Sequence, residues 1–185
     1  MIRTFIAIEP PDRAINQIWD VVSSSKRSVS EKVNWVLREQ LHLTLLFLGD
    51  TKENDLQDIY SIVSEVISKN QGKHLLKKIH LDLHDKKNPR IVWLSGELQD
   101  NLLESVIQKI KREIMVLGYK FENRRFTPHI TLGRIKSGLS LTSQYNLLSQ
   151  PVSVHDFEMN KIVVYKSELN PAGPRYYNLY EQLTD

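Results

Sequence analysis

Two segments of this 185-residue chain place an imidazole two residues ahead of a hydroxyl: His42-Leu43-Thr44 and His129-Ile130-Thr131. On a strand successive side chains alternate between faces, so His42 and Thr44 point one way, and His129 and Thr131 do the same. Leu43, Leu45, Ile130 and Leu132 then point into a helix-covered core. Polar residues in segments otherwise apolar enough to be central strands cost stability unless they are used. Opening a cyclic phosphodiester needs a base to take a proton from water, an acid to protonate the departing sugar oxygen, and donors for the non-bridging oxygens. Two histidines and two threonines supply that set. Imidazole titrates near neutral pH, so one ring can start neutral and the other charged. Each proton transfer contributes about 10²- to 10⁴-fold. That chemistry requires no metal and no other cofactor. A lone His-x-Thr is functional in roughly one case in ten. Two copies in matching strand contexts, one in each half, shift that balance.

The elements that position them follow from apolar spacing and turn residues. A strand at Thr4 to Ile8, closed by Pro10-Pro11, leads into a helix from Asp12 with Ile15, Ile18, Trp19 and Val22 on one face. A short apolar stretch, Val33 to Leu37, precedes a strand from Leu41 to Leu48 that Gly49-Asp50 ends. A second helix spans Glu53 to Lys69, with Leu56, Ile59, Tyr60, Val63, Val66 and Ile67 as its buried stripe. The second half repeats the plan. Strands at Leu75 to Leu83 and Arg90 to Leu94 precede a helix from Asn101 to Leu117, striped by Leu103, Val106, Ile107, Ile110 and Ile114. Then come a strand at Thr127 to Arg134, a polar loop from Ser137 to Ser149, and strands at Val152 to Phe157, Lys161 to Leu169 and Tyr176 to Leu183. The class is α+β with antiparallel hairpins, and the two strand-helix halves read as a duplication with two lobes facing each other.

Composition narrows the functions. With 41% apolar and 25% charged residues the chain is expected to fold, which excludes disordered and fibrous classes. The absence of cysteine removes disulfides, thiolate zinc sites and cysteine nucleophiles. No window approaches a membrane span and the N-terminal apolar run is too short for a signal peptide, so no membrane association and a cytoplasmic location are expected. The net charge of +3 allows an anionic partner without requiring one.

The segments Asn34-Trp35-Val36, Leu41 to Gly49, Pro89 to Leu94 and Phe126-Thr127-Pro128-His129-Ile130-Thr131-Leu132-Gly133-Arg134 resemble those of the 2H phosphoesterases. Within them the likeness is to the bacterial and archaeal RNA 2′,3′-cyclic phosphodiesterases, also called 2′-5′ RNA ligases of the LigT or ThpR type. It extends from Phe5-Ile6-Ala7-Ile8 to Gly173-Pro174-Arg175-Tyr176, nearly the whole chain. The resemblance implies one domain over residues 1–185 built of two intertwined lobes, with two pseudo-symmetric antiparallel sheets lining a cleft and helices outside. It implies His42 as general acid toward the leaving 3′ oxygen, His129 as general base on water, and a product that keeps its phosphate on the 2′ oxygen. The implied partner is RNA with a 2′,3′-cyclic phosphate end, tRNA fragments included, acted on by a monomer with no obligate protein partner. Some members also join RNA ends through a 2′-5′ bond, the same step in reverse. The second motif is extended by Arg134, which in relatives helps hold the phosphate or nucleotide.

Strand counting makes two of these residues awkward. Arg134 stands five residues after His129 and has the opposite parity, so reaching the cleft needs a twist or bulge, for which Gly133 is well placed. Phe47 sits at the same offset from His42 and reads as core, by about two to one, over a base-stacking platform. The resemblance nonetheless places Phe47 near the base. Of the basic clusters, Arg124 and Arg125 directly precede the second motif and are the better placed for RNA phosphates. His80-Leu81-Asp82-Leu83-His84 sets two imidazoles and a carboxylate on one strand face. A metal site there is weighed at roughly one in ten, because half-solvated strands show this alternation routinely. His74 and His155 read as surface residues, and Arg90, Arg175 and Tyr176 are left without a role.

Overall fold

The computed structural model describes residues 1–122, 125–170 and 173–185. Arg124, a candidate RNA contact, lies outside the described residues. In chain order the elements are β1 (Ile2–Glu9), α1 (Asp12–Ser28), β2 (Val33–Trp35), β3 (Leu43–Thr51), α2 (Leu56–Ser68), β4 (His74–His84), β5 (Ile91–Leu98), α3 (Leu102–Val116), β6 (His129–Ile135), α4 (Leu141–Ser149), β7 (Phe157–Met159), β8 (Lys161–Asn170) and β9 (Gly173–Leu183). Single 3-10 turns at Arg38–Gln40 and Glu53–Asp55 lead into β3 and α2.

The strands are ordered β7-β4-β5-β6-β3-β1-β8-β9, with β2 added to β6, and every pairing is antiparallel. Two strongly paired groups are visible in that order, β3-β1-β8-β9 and β7-β4-β5-β6. They meet at one residue pair, Leu43 opposite Ile130. Each group takes strands from the other half of the chain: β4 follows α2 yet pairs with β5, and β8 and β9 return to pair beside β1. The helices lie on the opposite face of the sheet from the motifs. Their buried stripes are Ala14, Ile18, Val21 and Val22 on α1, Ile59, Val63, Val66 and Ile67 on α2, and Leu103, Val106, Ile107, Ile110 and Ile114 on α3. No helix among the described residues is long and apolar enough to cross a membrane.

Three local expectations are corrected. The polar stretch from Ser137 to Ser149 contains α4, started by Ser140, whose side chain accepts from the Ser143 N–H at 3.2 Å. Glu31 anchors that turn, accepting from the Ser143 hydroxyl at 2.6 Å and the Ser140 N–H at 2.7 Å. These bonds favour the carboxylate and hold Glu31 down to about 2. The helix lacks an apolar stripe because it buries little beyond Leu147. The strand expected at Val152 to Phe157 shrinks to β7, which only begins at Phe157. His74 is buried, at 2% exposure, where β7 pairs alongside it. Neither ring nitrogen has a hydrogen-bond partner, and burial lowers its pKa.

Candidate active site

His42 stands just before β3, and His129 opens β6. Leu43 and Ile130, the residues after each histidine, form the pair that joins the two strand groups, and both are fully buried. Continuing that antiparallel register sets His42 across from Thr131 and Thr44 across from His129. With Leu43, Leu45, Ile130 and Leu132 buried, the alternate positions His42, Thr44, His129 and Thr131 share the other, partly open face. The seam therefore brings both motifs to one place.

The rings are held alike. The Nδ1–H of His42 donates to the Gln40 carbonyl at 2.7 Å, and that of His129 donates to the Thr127 carbonyl at 2.7 Å. A carbonyl only accepts, so Nδ1 carries the proton and Nε2 of each neutral ring is left as the acceptor. One difference separates them. The Thr44 hydroxyl donates to His42 Nε2 at 3.0 Å, whereas His129 Nε2 has no hydrogen-bond partner among the described residues.

Burial pushes the His42 imidazole down to about 4. The Gln40 carbonyl and Glu9 oppose that shift, and His129 and Arg134 reinforce it. His129 is lowered too, chiefly by burial, with His84 and Arg134 adding to the push and the Thr127 carbonyl resisting it. In the empty site both rings therefore favour the neutral form.

Arg134 and Phe47 reach this face by the same device. In β6, Val92 pairs with Gly133 but Trp93 pairs with Thr131, so Leu132 is an inserted residue. In β3, Ile6 pairs with Leu46 but Ala7 pairs with Thr44, so Leu45 is inserted likewise. Each bulge lies three residues after its histidine and reverses the parity beyond it. Arg134 comes within electrostatic range of His42, His129 and Tyr176. The reading of Phe47 as core is corrected: it is 65% exposed, with its ring centroid 6.0 Å from that of Phe5. Gly133 has a different use. A Cβ there would stand 2.8 Å from Val33 Cγ1 and 2.9 Å from Trp35 Cε3, so glycine lets β2 close over β6.

Strand counting alone did not single out the residues that wall the site. Phe5, Tyr165 and Tyr176 surround His42, with centroids 5.0, 6.1 and 5.4 Å from its ring. The Tyr165 hydroxyl bonds Glu9, which Lys161 also holds at 2.5 Å. Around His129 the wall is Trp93, at 4.6 Å, and His84 packs on Trp93 at 4.8 Å. No three His, Asp or Glu side chains among the described residues converge to hold a metal ion, and Asp82 pairs instead with Lys86 at 3.2 Å. Arg125 and His155 are exposed.

The chain and its fold have counterparts among known proteins. Residues 8–93 and 94–176 each match the LigT-like phosphoesterases, one match for each half. The chain belongs to that family. Among LigT-like relatives, the RNA 2′,3′-cyclic phosphodiesterase of Thermotoga maritima is 30% identical over 97% of this chain and 94% of its own length. That of Methanocaldococcus jannaschii is 30% identical over 94% and 96%. The crystal structure of TT0787 of Thermus thermophilus superposes with a TM-score of 0.79 at 20% identity, over 99% of this chain and 98% of that one. E. coli LigT complexed with 3′-AMP gives 0.71 at 21% identity, over 98% and 97%. The curled antiparallel sheet with helices on its outer side is the LigT-like fold.

Proposed function

We propose that this protein opens the 2′,3′-cyclic phosphate at the end of an RNA, leaving a 2′-phosphomonoester, by acid-base catalysis between His42 and His129. The observation that carries this reading is the seam at Leu43 and Ile130, which sets two identically tethered imidazoles and two hydroxyls on one face. The names of the near-full-length relatives supply the substrate class.

In the reaction His129 Nε2, free to accept, takes a proton from water as the water oxygen bonds to phosphorus. The bond from phosphorus to the 3′ oxygen breaks, and His42 Nε2–H delivers a proton to that oxygen. Thr44 and Thr131 donate to the non-bridging oxygens, with Thr44 turning from His42 to do so. The bound phosphodiester anion, with Glu9 nearby, favours the protonated form of His42 that the empty site disfavours. Arg134 adds a fixed positive charge beside the phosphate, and Phe47 offers an exposed ring on which the terminal base stacks. With the 5′-hydroxyl of a second RNA in place of water, the same groups join ends: the 5′ oxygen bonds to phosphorus as His129 takes its proton, the bond from phosphorus to the 3′ oxygen breaks, and His42 protonates that oxygen, leaving a 2′-5′ bond.

The test is turnover of an oligonucleotide ending in a 2′,3′-cyclic phosphate, in the presence of a chelator, with the product ends identified. Product carrying only a 2′-phosphate is expected; a 3′-phosphate product, or no turnover without added metal, overturns the mechanism. The pH dependence follows from the lowered histidines. kcat/KM reports the free protein, which needs His129 neutral and His42 charged. As pH falls toward the depressed value of His42 its charged fraction rises, until protonation of His129 removes the base. The kcat/KM profile should therefore rise as pH drops from 8 and peak below 6.5, the ordinary imidazole value. A profile that instead climbs steadily from pH 6 to 8 contradicts the assignment.

A further inference from the structure

The face that carries His129 continues past the catalytic strand. Cross-strand register sets out three rows over β4, β5 and β6: His80, Ser95 and His129; Asp82, Trp93 and Thr131; His84, Ile91 and Arg134. Ring contacts agree, since Trp93 touches His129 on one side and His84 on the other. The row of Arg134 runs on to Asn34 of β2. One step further out on the same face stand Lys136 and Lys32, linked by the Lys136 N–H to the Lys32 carbonyl at 3.1 Å. Beyond His84 the chain turns through the exposed Lys86 and Lys87.

The ends of β4, β5, β6 and β2 thus form a rim with Arg134 near its middle. Its charge is little compensated. Asp82 offsets Lys86, and Asp85 accepts from the Lys87 and Asn88 backbone N–H groups. Among the described residues, Lys32, Lys87 and Lys136 have no carboxylate within ion-pair distance. At the other two edges of the site three lysines are held by carboxylates. Lys161 sits between Glu9 at 2.5 Å and Glu181 at 3.8 Å, Lys166 pairs with Glu168 at 2.6 Å, and at the His80 end Lys78 pairs with Glu97 at 2.7 Å. A polyanion entering the site is therefore drawn toward this rim. His84 lies two strand spacings from β6, about 10 Å. That is too far to touch a phosphate held between His42 and His129, and suited to a neighbouring one. His84, Arg134, Lys136 and Lys32 are all exposed, so the face leaves room for a chain to continue.

We propose that the rim formed by His84, Lys87, Lys136 and Lys32 binds the RNA phosphodiester backbone upstream of the cyclic end. This rests on the reading of the site as one for cyclic RNA ends. The rim selects oligonucleotides over single nucleotides, since only an oligonucleotide carries upstream phosphates to lay on it.

The test pairs two substrates, a nucleoside 2′,3′-cyclic phosphate and an oligonucleotide with the same cyclic end, across the double variant Lys87→Glu/Lys136→Glu. For the oligonucleotide, kcat/KM is expected to fall by about tenfold or more, and the slope of log affinity against log salt to shrink by about one to two. For the nucleoside, kcat/KM stays within about twofold of the unmodified protein, because each lysine contact is a phosphate contact. A Lys26→Glu/Arg112→Glu double on α1 and α3, with the same change in net charge, leaves both substrates unaffected. Equal losses on both substrates, or equal losses in the two doubles, overturn the rim. Binding of a 2′-phosphorylated oligonucleotide, read by fluorescence anisotropy, needs no turnover. If neither cyclic substrate is opened, the function proposed above fails. Weaker, less salt-dependent binding by Lys87→Glu/Lys136→Glu then still supports the rim, and unchanged binding overturns it.

Discussion

His42→Ala and His129→Ala are each expected to lower kcat for cyclic phosphate opening by about 10²- to 10⁴-fold. The double variant should be little worse than either single, because an acid and a base that act in one displacement fail together. Neither change should unfold the protein, since both rings lie on the open face and the core beneath them belongs to Leu43 and Ile130. The two roles separate with a second substrate. Both rings are tethered through Nδ1 to the carbonyl two residues earlier, and what distinguishes them is Thr44 on His42 Nε2. A cyclic-phosphate mimic whose leaving group is a nitrophenol departs without needing a proton. His42→Ala should recover most of its loss on that substrate, and His129→Ala should recover none. Recovery by His129→Ala alone would exchange the labels of acid and base. Comparable single-variant activity to the unmodified protein would remove both residues from the chemistry.

How far the sequence foretells this site depends on where the two-residue period of a strand holds. From His42 to Thr44 and from His129 to Thr131 it holds, and the four residues share a face as counted. Three residues past each histidine it breaks. Leu45 and Leu132 are ordinary apolar residues with nothing in their type to mark a bulge, so unbroken counting assigns Phe47 to the core. Arg134 escaped the same error because the resemblance placed it at the phosphate, and Gly133 beside it offered a place for the twist or bulge that this requires. Burial of His74 was invisible for a related reason: it depends on β7, eighty residues away in the chain, pairing beside it. The aromatic wall of His42 is assembled from β1, β8 and β9, and the wall of His129 from β5. Long-range pairings of that kind leave no local periodic trace. The helical stripes, by contrast, are local, and those of α2 and α3 match the buried positions closely.

Leu43→Ala should cost about 2–5 kcal/mol of stability, the range for truncating a fully buried leucine whose neighbours relax only in part. Its effect on function should exceed that of an equally buried residue elsewhere. Leu43 and Ile130 are the one pair joining β3 to β6 among the described residues, and each is flanked by a motif histidine. Removing the leucine's side chain leaves a void beneath His42 at the point where the two strand groups meet. The histidines then lose their common register, and misplacement by about 1 Å costs on the order of 10²-fold in rate. Ile110→Ala supplies the comparison, because Ile110 is also buried in the core yet belongs to α3 on the far face of the sheet. The two variants should show similar shifts in denaturant midpoint. Assayed well below their unfolding temperatures, Leu43→Ala should lose most of its turnover and Ile110→Ala little of it. Equal turnover per folded molecule would mean that the two strand groups hold their relative position without the seam. The spacing of His42 from His129 would then be set by other contacts between the halves of the chain, among them α2 packing on α3 behind the sheet.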